Sequence, residues 1–308
     1  MHSIRDYDRV MLVANPHSGG GRAARMAESV ASALRARGAR VEMLRTRRAG
    51  DGRETAGQLD GDHCLVLAVG GDGTFNEILN GADRERCTLA VVPAGTGNVL
   101  AKELGMSCDA ERAVGQLCSG APARLDAARC NGRLFISVFG AGVDGDIIRR
   151  LHAARGDWLT QANYVPYVVD EALQPRRWHI RAEADGRELA ADADQVAVGN
   201  ARSYGGPIEM TPAAVPNDGL LDVMCARLAS PVERVSMAAC MALRCLHLSP
   251  LVTYGRAQRV RVSSGGEQVP YEIDGEAAGY LPAEIEVEPA AVRVLAPATF
   301  QPIRREPR

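Results

Sequence analysis

The residues best placed to do chemistry are glycines and carboxylates that follow short apolar runs. Three glycine-bearing segments stand out in the 308-residue sequence: Asn15-Pro16-His17-Ser18-Gly19-Gly20, Gly70-Gly71-Asp72-Gly73-Thr74-Phe75-Asn76-Glu77 and Pro93-Ala94-Gly95-Thr96-Gly97-Asn98. Glycine lets the backbone approach phosphate oxygens, and the N–H groups opening a following helix favour an anion. One such segment is equally well a tight strand-to-helix turn; three in order point to a nucleotide phosphate site. They are neither a Walker A loop, since no Gly-Lys-Ser/Thr follows, nor a GxGxxG fingerprint. Phosphoryl transfer would also need a metal on the phosphates and a carboxylate near the acceptor hydroxyl. Asp274 and Glu276 flank Gly275, and alternation puts both on one face if the segment stays extended. A β-turn with solvated carboxylates is the alternative.

The elements that must position these residues change character along the chain. Arg9 to Ala14, Val41 to Leu44, Cys64 to Val69 and Leu89 to Val92 read as apolar strands. Helices are expected over Arg22 to Arg37, with Met26, Val30, Ala33 and Leu34 near one face, from Phe75, and over Val99 to Leu104. Strands alternating with helices imply a parallel α/β layer. After about Gly120 short alternating strands dominate: Leu134 to Phe139, Trp178 to Glu183, Gln195 to Asn200, Leu221 to Cys225, Arg259 to Val262 and Ile285 to Glu288. Helical stretches interrupt them around Trp158 to Leu173 and Pro231 to Leu246, the latter carrying Val235, Ala238, Met241 and Leu243. The expectation is an α/β N-terminal domain with a parallel sheet over residues 1–124 and a β-rich sandwich domain over 125–308. Packing of the extreme C-terminal residues back on the first domain is left open. Gly140 to Asp144 reads as a further glycine turn, with Asp144 a candidate for the site. Asn217-Asp218-Gly219-Leu220 reads as a hairpin turn.

Composition bounds the partners. A formal net charge of −2 argues against nucleic acid, which calls for a basic excess. The eight cysteines form no CxxC pair and have no histidine at zinc-ligand spacing, so reduced thiols in the cytoplasm are expected. His17, His152, His179 and His247 are read as bystanders or structural. The N-terminus has no signal-peptide pattern, and no apolar run reaches the length of a membrane span.

The glycine segments, together with Gly199-Asn200-Ala201-Arg202-Ser203-Tyr204-Gly205-Gly206, Pro216-Asn217-Asp218-Gly219-Leu220-Leu221-Asp222 and Ile273-Asp274-Gly275-Glu276, occur in the order seen in a known family. Over nearly its whole length the chain resembles the soluble bacterial lipid kinases related to diacylglycerol, sphingosine and ceramide kinases, within the superfamily of NAD kinases and phosphofructokinases. The resemblance implies that Asn15, Pro16, Ser18 and Gly19, with Gly70, Gly71, Asp72, Gly73, Thr74 and Asn76, hold ATP phosphates and ribose. Thr46, Thr96, Gly97 and Asn98 add nucleotide contacts. Asp72 places Mg2+ through water or acts on the acceptor hydroxyl. Asp274 or Glu276 is the general base. Asp218, with the carbonyls of Val215 and Leu220, holds a structural Mg2+ or Ca2+, and Asp222 is a weaker candidate. Many relatives carry an Asp where this chain has Val99, which weakens transfer of substrate identity from them.

The implied activity is transfer of the γ-phosphate of ATP to a lipid hydroxyl, diacylglycerol first, in a cleft between the domains. A sphingoid base or ceramide, NAD, and a non-catalytic lipid or nucleotide sensor stand as alternatives. The lipid would be met at the inner face of the membrane by a peripheral protein. Candidate interface residues are Trp158, Tyr164, Tyr167 and Trp178, with Arg149, Arg150, Arg155, Arg176 and Arg177 facing headgroups. A homodimer is left open.

Overall fold

A computed structural model of the chain describes residues 4, 7–59, 63–154, 165–173, 176–205 and 208–301. Trp158, Tyr164, Arg155, Gly206 and residues 302–308 lie outside the described residues, as does the side chain of His247. The first elements are β1 (Arg9–Ala14), α1 (Arg22–Ala36), β2 (Val41–Arg45), α2 (Asp51–Gly57), β3 (Cys64–Gly70), α3 (Asp72–Gly81), β4 (Cys87–Pro93), α4 (Val99–Glu103), α5 (Ala110–Cys118) and β5 (Ala121–Cys130). Next come β6 (Arg133–Phe135), β7 (Val138–Gly142), α6 (Val143–Ala153), α7 (Val165–Leu173), β8 (Ile180–Ala184), β9 (Arg187–Ala193), β10 (Gln195–Gly199), β11 (Ser203–Gly205) and β12 (Ile208–Glu209). The chain closes with β13 (Leu221–Ala226), α8 (Pro231–Ala242), β14 (Val252–Ala257), β15 (Arg259–Ser264), β16 (Pro270–Ile273), β17 (Glu276–Tyr280) and β18 (Ala283–Ala296). It divides into two units, residues 1–126 with 289–308, and residues 127–288. The boundaries fall inside β5 and β18.

The first unit is built on parallel strands in the order β2-β1-β3-β4. Every residue of β3 and β4 is buried, as near-continuous apolar strands covered on both faces must be. The second part of β18 adds to β4, with Val294 beside Leu89. The edge strand β2 is half-exposed and carries Glu42, paired with Arg9 at 2.6 Å; charge on an edge discourages further strand pairing. On α1 the buried stripe is Ala23, Ala27, Val30, Ala31 and Leu34. Met26, expected on that stripe, is only half-buried.

The second unit is an antiparallel sandwich. One sheet runs β14-β13-β10-β7-β16-β17; the other contains the first part of β18 with β15, β8 and β9. Their core includes Phe135, Phe139, Trp178, Val223, Val260 and Ile285. Three sequence expectations change here. The strand expected over Leu134 to Phe139 breaks at Ile136 and Ser137, because those N–H groups turn to a carboxylate described below. Gly140 to Gly142 is the end of β7 rather than a turn, and α6 begins at once. The segment around Asp218 joins β12 to β13, which pair with other strands, so it is no hairpin. On α8 the buried residues are Arg234 and Met237, whereas Val235 and Leu243, just past its end, face out at 59% and 75% exposure. The Arg234 guanidinium is held inside by Glu171 of α7 at 2.5 Å and the Leu228 carbonyl at 3.1 Å.

Candidate active site

In the first unit the chain leaves β1 toward β2 on one side and returns to β3 on the other. The carboxyl edge at this reversal is where open α/β sheets bind ligands. The loops after β1, β3 and β4 sit side by side along that edge. In the first, Asn15 Oδ1 accepts from the His17 N–H at 3.0 Å and the Asn15 carbonyl accepts from Ser18 at 3.0 Å. Arg22, opening α1, donates to the Gly95 carbonyl at 2.6 Å, tying the first loop to the third. The Gly95 N–H reaches the Gly70 carbonyl at 3.0 Å and Asn98 Oδ1 at 2.9 Å, tying the third to the second. A Cβ on Gly95 would collide with Gly71 Cα, so these glycines are required by close backbone approach.

The structure thus brings together Asn15, Pro16, Ser18, Gly19, Gly70, Gly71, Asp72, Gly73, Gly95, Gly97 and Asn98. Thr96 is exposed on the third loop. Asp72 begins α3 and accepts from the Leu100 N–H at 3.3 Å, at the start of α4. Thr46 is buried, and its N–H donates to the Ala14 carbonyl at 2.9 Å, beside the start of the first loop. Thr74 and Asn76 lie inward: both are buried, Thr74 against Gly70, and Asn76 Oδ1 accepts from Asn80 at 3.1 Å. Glu77 accepts from Gly50 at 2.8 Å and Gly52 at 2.9 Å, which anchors the start of α2.

In the second unit Asp274 and Gly275 are the two loop residues of the β16–β17 hairpin, since Ile273 pairs with Glu276. Both have positive φ, 51° and 82°, the signature of a type I′ turn, for which Asp-Gly is a favoured pair. The segment is therefore not extended, and its two carboxylates do not share a strand face. Asp274 folds onto the break between β6 and β7. Its Oδ1 accepts from Ser137 at 3.0 Å and Val138 at 3.1 Å, and its Oδ2 accepts from Ile136 at 3.2 Å. The Asp274 N–H returns to the Val138 carbonyl at 2.9 Å. Glu276 is half-buried and pairs with Arg133 at 2.6 Å. Asp274 is thus a carboxylate fixed by backbone, and Glu276 one neutralised by a side chain.

Beside this turn stand two buried carboxyls, Glu272, which the spacing did not single out, and Asp144, already a candidate. Glu272, two positions before Asp274, is fully buried, and its Oε2 accepts from the Gly275 N–H at 2.6 Å. Asp144 is also buried and accepts from the Tyr204 hydroxyl at 2.7 Å. A Glu inside the otherwise apolar run Val269-Pro270-Tyr271-Glu272-Ile273 was the available signal, because an unpaired charge is rarely buried.

The expected structural metal site looks different. Asp218 pairs with Arg256, and its Oδ1 accepts from Leu220 at 3.0 Å, while the Val215 carbonyl accepts from Asn217 at 2.8 Å. Arg256 also reaches Asp222 at 3.4 Å. Burial pushes the Asp222 carboxyl up, with Arg256 opposing. A guanidinium already balances the charge that a divalent ion would balance here. Among the described residues no three His, Cys, Asp or Glu side chains gather as a metal site. His152 accepts from the Ala277 N–H at 3.3 Å and His179 pairs with Asp192 at 2.7 Å.

Comparison with known proteins follows this division of labour. Residues 9–130 match the diacylglycerol kinase catalytic domain, and residues 137–296 match the YegS C-terminal NAD kinase beta sandwich-like domain. A diacylglycerol kinase of Bacillus subtilis is 31% identical over 224 residues, 71% of this chain and 73% of that one. A diacylglycerol kinase of Mycobacterium tuberculosis is 30% identical over 298 residues, 94% and 95% of the two chains. A solved diacylglycerol kinase from Bacillus anthracis shares the fold, with a TM-score of 0.75 at 23% identity over 95% of this chain and 98% of that one. A parallel α/β unit with three glycine loops, an antiparallel sandwich with a carboxylate turn, and relatives matching almost end to end make this chain a member of the diacylglycerol kinase family.

Proposed function

We propose that the protein transfers the γ-phosphate of ATP to a lipid hydroxyl, with diacylglycerol as the first substrate. The observation that carries this is the set of three glycine loops side by side at the switch point of the parallel sheet. Their backbone N–H groups and the start of α3 suit a polyphosphate. Asn15 to Gly19, Gly70 to Asn76, Thr46 and Thr96 to Asn98 are the residues assigned to the nucleotide. Mg2+ would neutralise charge on the phosphates. Asp72, a half-buried carboxylate heading a helix among the loops, is the residue suited to place it.

Asp274 is the proposed general base. Three N–H groups hold it in one orientation, and precise placement is what a proton acceptor in transfer chemistry needs. Glu276, committed to Arg133, is the weaker choice. The relatives' name, diacylglycerol kinase, supports the choice of lipid. A structural Mg2+ or Ca2+ at Asp218, Val215 and Leu220 would have to displace Arg256.

A peripheral position at the membrane is supported by one surface feature. Val168, Val169 and Leu173 on α7, Val232 and Val235 on α8, and Leu243 just past its end are 41–78% exposed. The two helices pack together, and such a concentration of exposed large apolar residues marks an interaction surface. Among the described residues no helix is long and apolar enough to cross a membrane.

The test is label transfer from ATP to a panel of detergent-solubilised lipids, with NAD as control acceptor and Asp72→Ala as blank. Label in diacylglycerol, lost in the blank, supports the proposal. Label in a sphingoid base or ceramide would move the substrate, and label in NAD would overturn the lipid reading. ATP binding without transfer would favour a sensor.

A further inference from the structure

Two buried carboxyls in the second unit have no role in the mechanism above. β16 pairs with β7 so that Glu272 stands opposite Gly140. A Cβ at Gly140 would lie 2.8 Å from Glu272 Oε1 and closer still to Asp144 Oδ2. The two oxygens therefore converge above one Cα that carries no side chain. Their remaining oxygens are taken, Glu272 Oε2 by Gly275 and Asp144 Oδ1 by Tyr204. The Asp144 N–H donates to Gln195 Oε1 at 2.8 Å, which fixes the first turn of α6. Only Asp144 Oδ2 and Glu272 Oε1 lack a partner, and both are buried.

Two bare anionic oxygens cannot share a dry site without large repulsion and desolvation cost. One proton between them removes both problems and satisfies both atoms. Each carboxyl accepts at its other oxygen, so the deeper burial of Glu272, 0% exposed against 6% for Asp144, favours Glu272 as the proton's carrier. We propose that Glu272 is protonated on Oε1, donates to Asp144 Oδ2, and through Oε2 and the Gly275 N–H holds the Asp274–Gly275 turn in place. Asp144 and Glu272 are then positioning residues for the Asp274 carboxylate. This role rests on the reading of that turn as the one bearing the base.

The direction of the ionisation equilibria agrees. Burial, then the neighbouring Asp144 charge, pushes Glu272 well above the usual glutamate range. Burial pushes Asp144 up to about 6. The other groups facing the pair are Asp274 on the turn and Tyr204 on β11, whereas His152 on α6 accepts from the Ala277 N–H at 3.3 Å. Glu276 is neutralised by Arg133 at 2.6 Å, and Asp146 by Arg149 at 2.7 Å and Arg150 at 2.9 Å. β10 and β7 contribute only the neutral Gln195 and Gly140. Between the Asp144 and Glu272 ionisations the pair carries one negative charge; above the second, two charges repel across Gly140 and the turn loosens.

The experiment uses the full chain as wild type, Glu272→Gln and Glu272→Ala. The Gln amide can donate where the acid did and still accept from Gly275. Expected are an infrared carboxylic-acid band near neutral pH that disappears in Glu272→Gln, and slow exchange of the Gly275 amide that accelerates in wild type once Glu272 ionises. That extra acceleration should be absent in Glu272→Gln, and exchange should be fast at every pH in Glu272→Ala. Wild-type kcat should show an alkaline limb falling about tenfold per pH unit, which Glu272→Gln lacks. Near neutrality Glu272→Gln should turn over at least about tenfold faster than Glu272→Ala. An unchanged infrared band in Glu272→Gln, or equal Gly275 exchange in all three proteins, would overturn the pairing. Superimposable pH profiles would overturn the positioning role. If wild type phosphorylates no lipid, the kinase reading fails, while the band and the exchange still decide the pair.

Discussion

Replacing Asp274 by Asn separates two jobs that one carboxylate is argued to do. The turn itself should survive, since Asn tolerates the left-handed φ of 51° seen there and Asn-Gly suits the same turn type. With its carbonyl oxygen in place of Oδ1, Asn keeps the bonds from Ser137 and Val138, but they lose their charge. Its NH2 then faces the Ile136 N–H, donor against donor, where Oδ2 had accepted at 3.2 Å. Two bonds falling from the charged to the neutral range and one unsatisfied N–H cost roughly 2–5 kcal/mol together. In a unit of this size that is a fall in Tm of about 5–15 °C. Loss of the base should separately lower kcat by about 10²–10⁴, with KM for ATP unchanged. Calorimetry gives the first quantity. Initial rates on mixed micelles, taken well below the variant's Tm, give the second. Undiminished kcat in a folded variant would refute Asp274 as base, and an unchanged Tm would refute the three-N–H cradle.

Gly95→Ala places a methyl group against Gly71 Cα, backbone on backbone. The loops must part by about an ångström, and kcat/KM should fall roughly 100-fold, with weaker binding of a non-hydrolysable ATP analogue by calorimetry. Arg256→Gln leaves Asp218 and the fully buried Asp222 without their cation, and should cost about 1–3 kcal/mol, since Arg256 is itself partly exposed. Millimolar Mg2+ or Ca2+ should recover part of that loss in the variant and do little for wild type. A larger gain in wild type would make the ion, not Arg256, the partner of Asp218. The double variant Val232→Asp, Val235→Asp should keep its Tm and its turnover of a short-chain soluble diacylglycerol, yet lose sedimentation with anionic vesicles; unchanged sedimentation would remove α8 from the membrane-facing surface.

Much of the first unit was legible residue by residue. β1 begins and ends where its apolar run does, and α1 is one residue shorter than its pattern. Parallel strands buried on both faces leave uninterrupted apolar runs, and glycine loops mark their ends. Legibility fell in the second unit, where exposure and hydrophobicity part company. On α8 the apolar Val235 faces out, while Arg234 and Met237 take the buried side. Glu171 on another helix gives the guanidinium a partner there. Gly140-Ala141-Gly142 resembled a turn because glycine is the usual punctuation, but Gly140 is small so that two carboxyls can meet above it.

What the sequence determined by itself was local: strand runs, the order of the glycine loops along the chain, and the adjacency of Asp274, Gly275 and Glu276. Even the Asp-Gly turn was written in adjacent residues, where it stood as the alternative to an extended strand. Tertiary structure decided which groups those carboxylates meet. Asp274 closes on N–H groups 136 to 138 positions away, and Glu272 faces Gly140 across a strand pair. Hydrogen bonds and charge repulsion act over a few ångströms, so a residue's protonation and role depend on neighbours in space, which one-dimensional spacing does not specify.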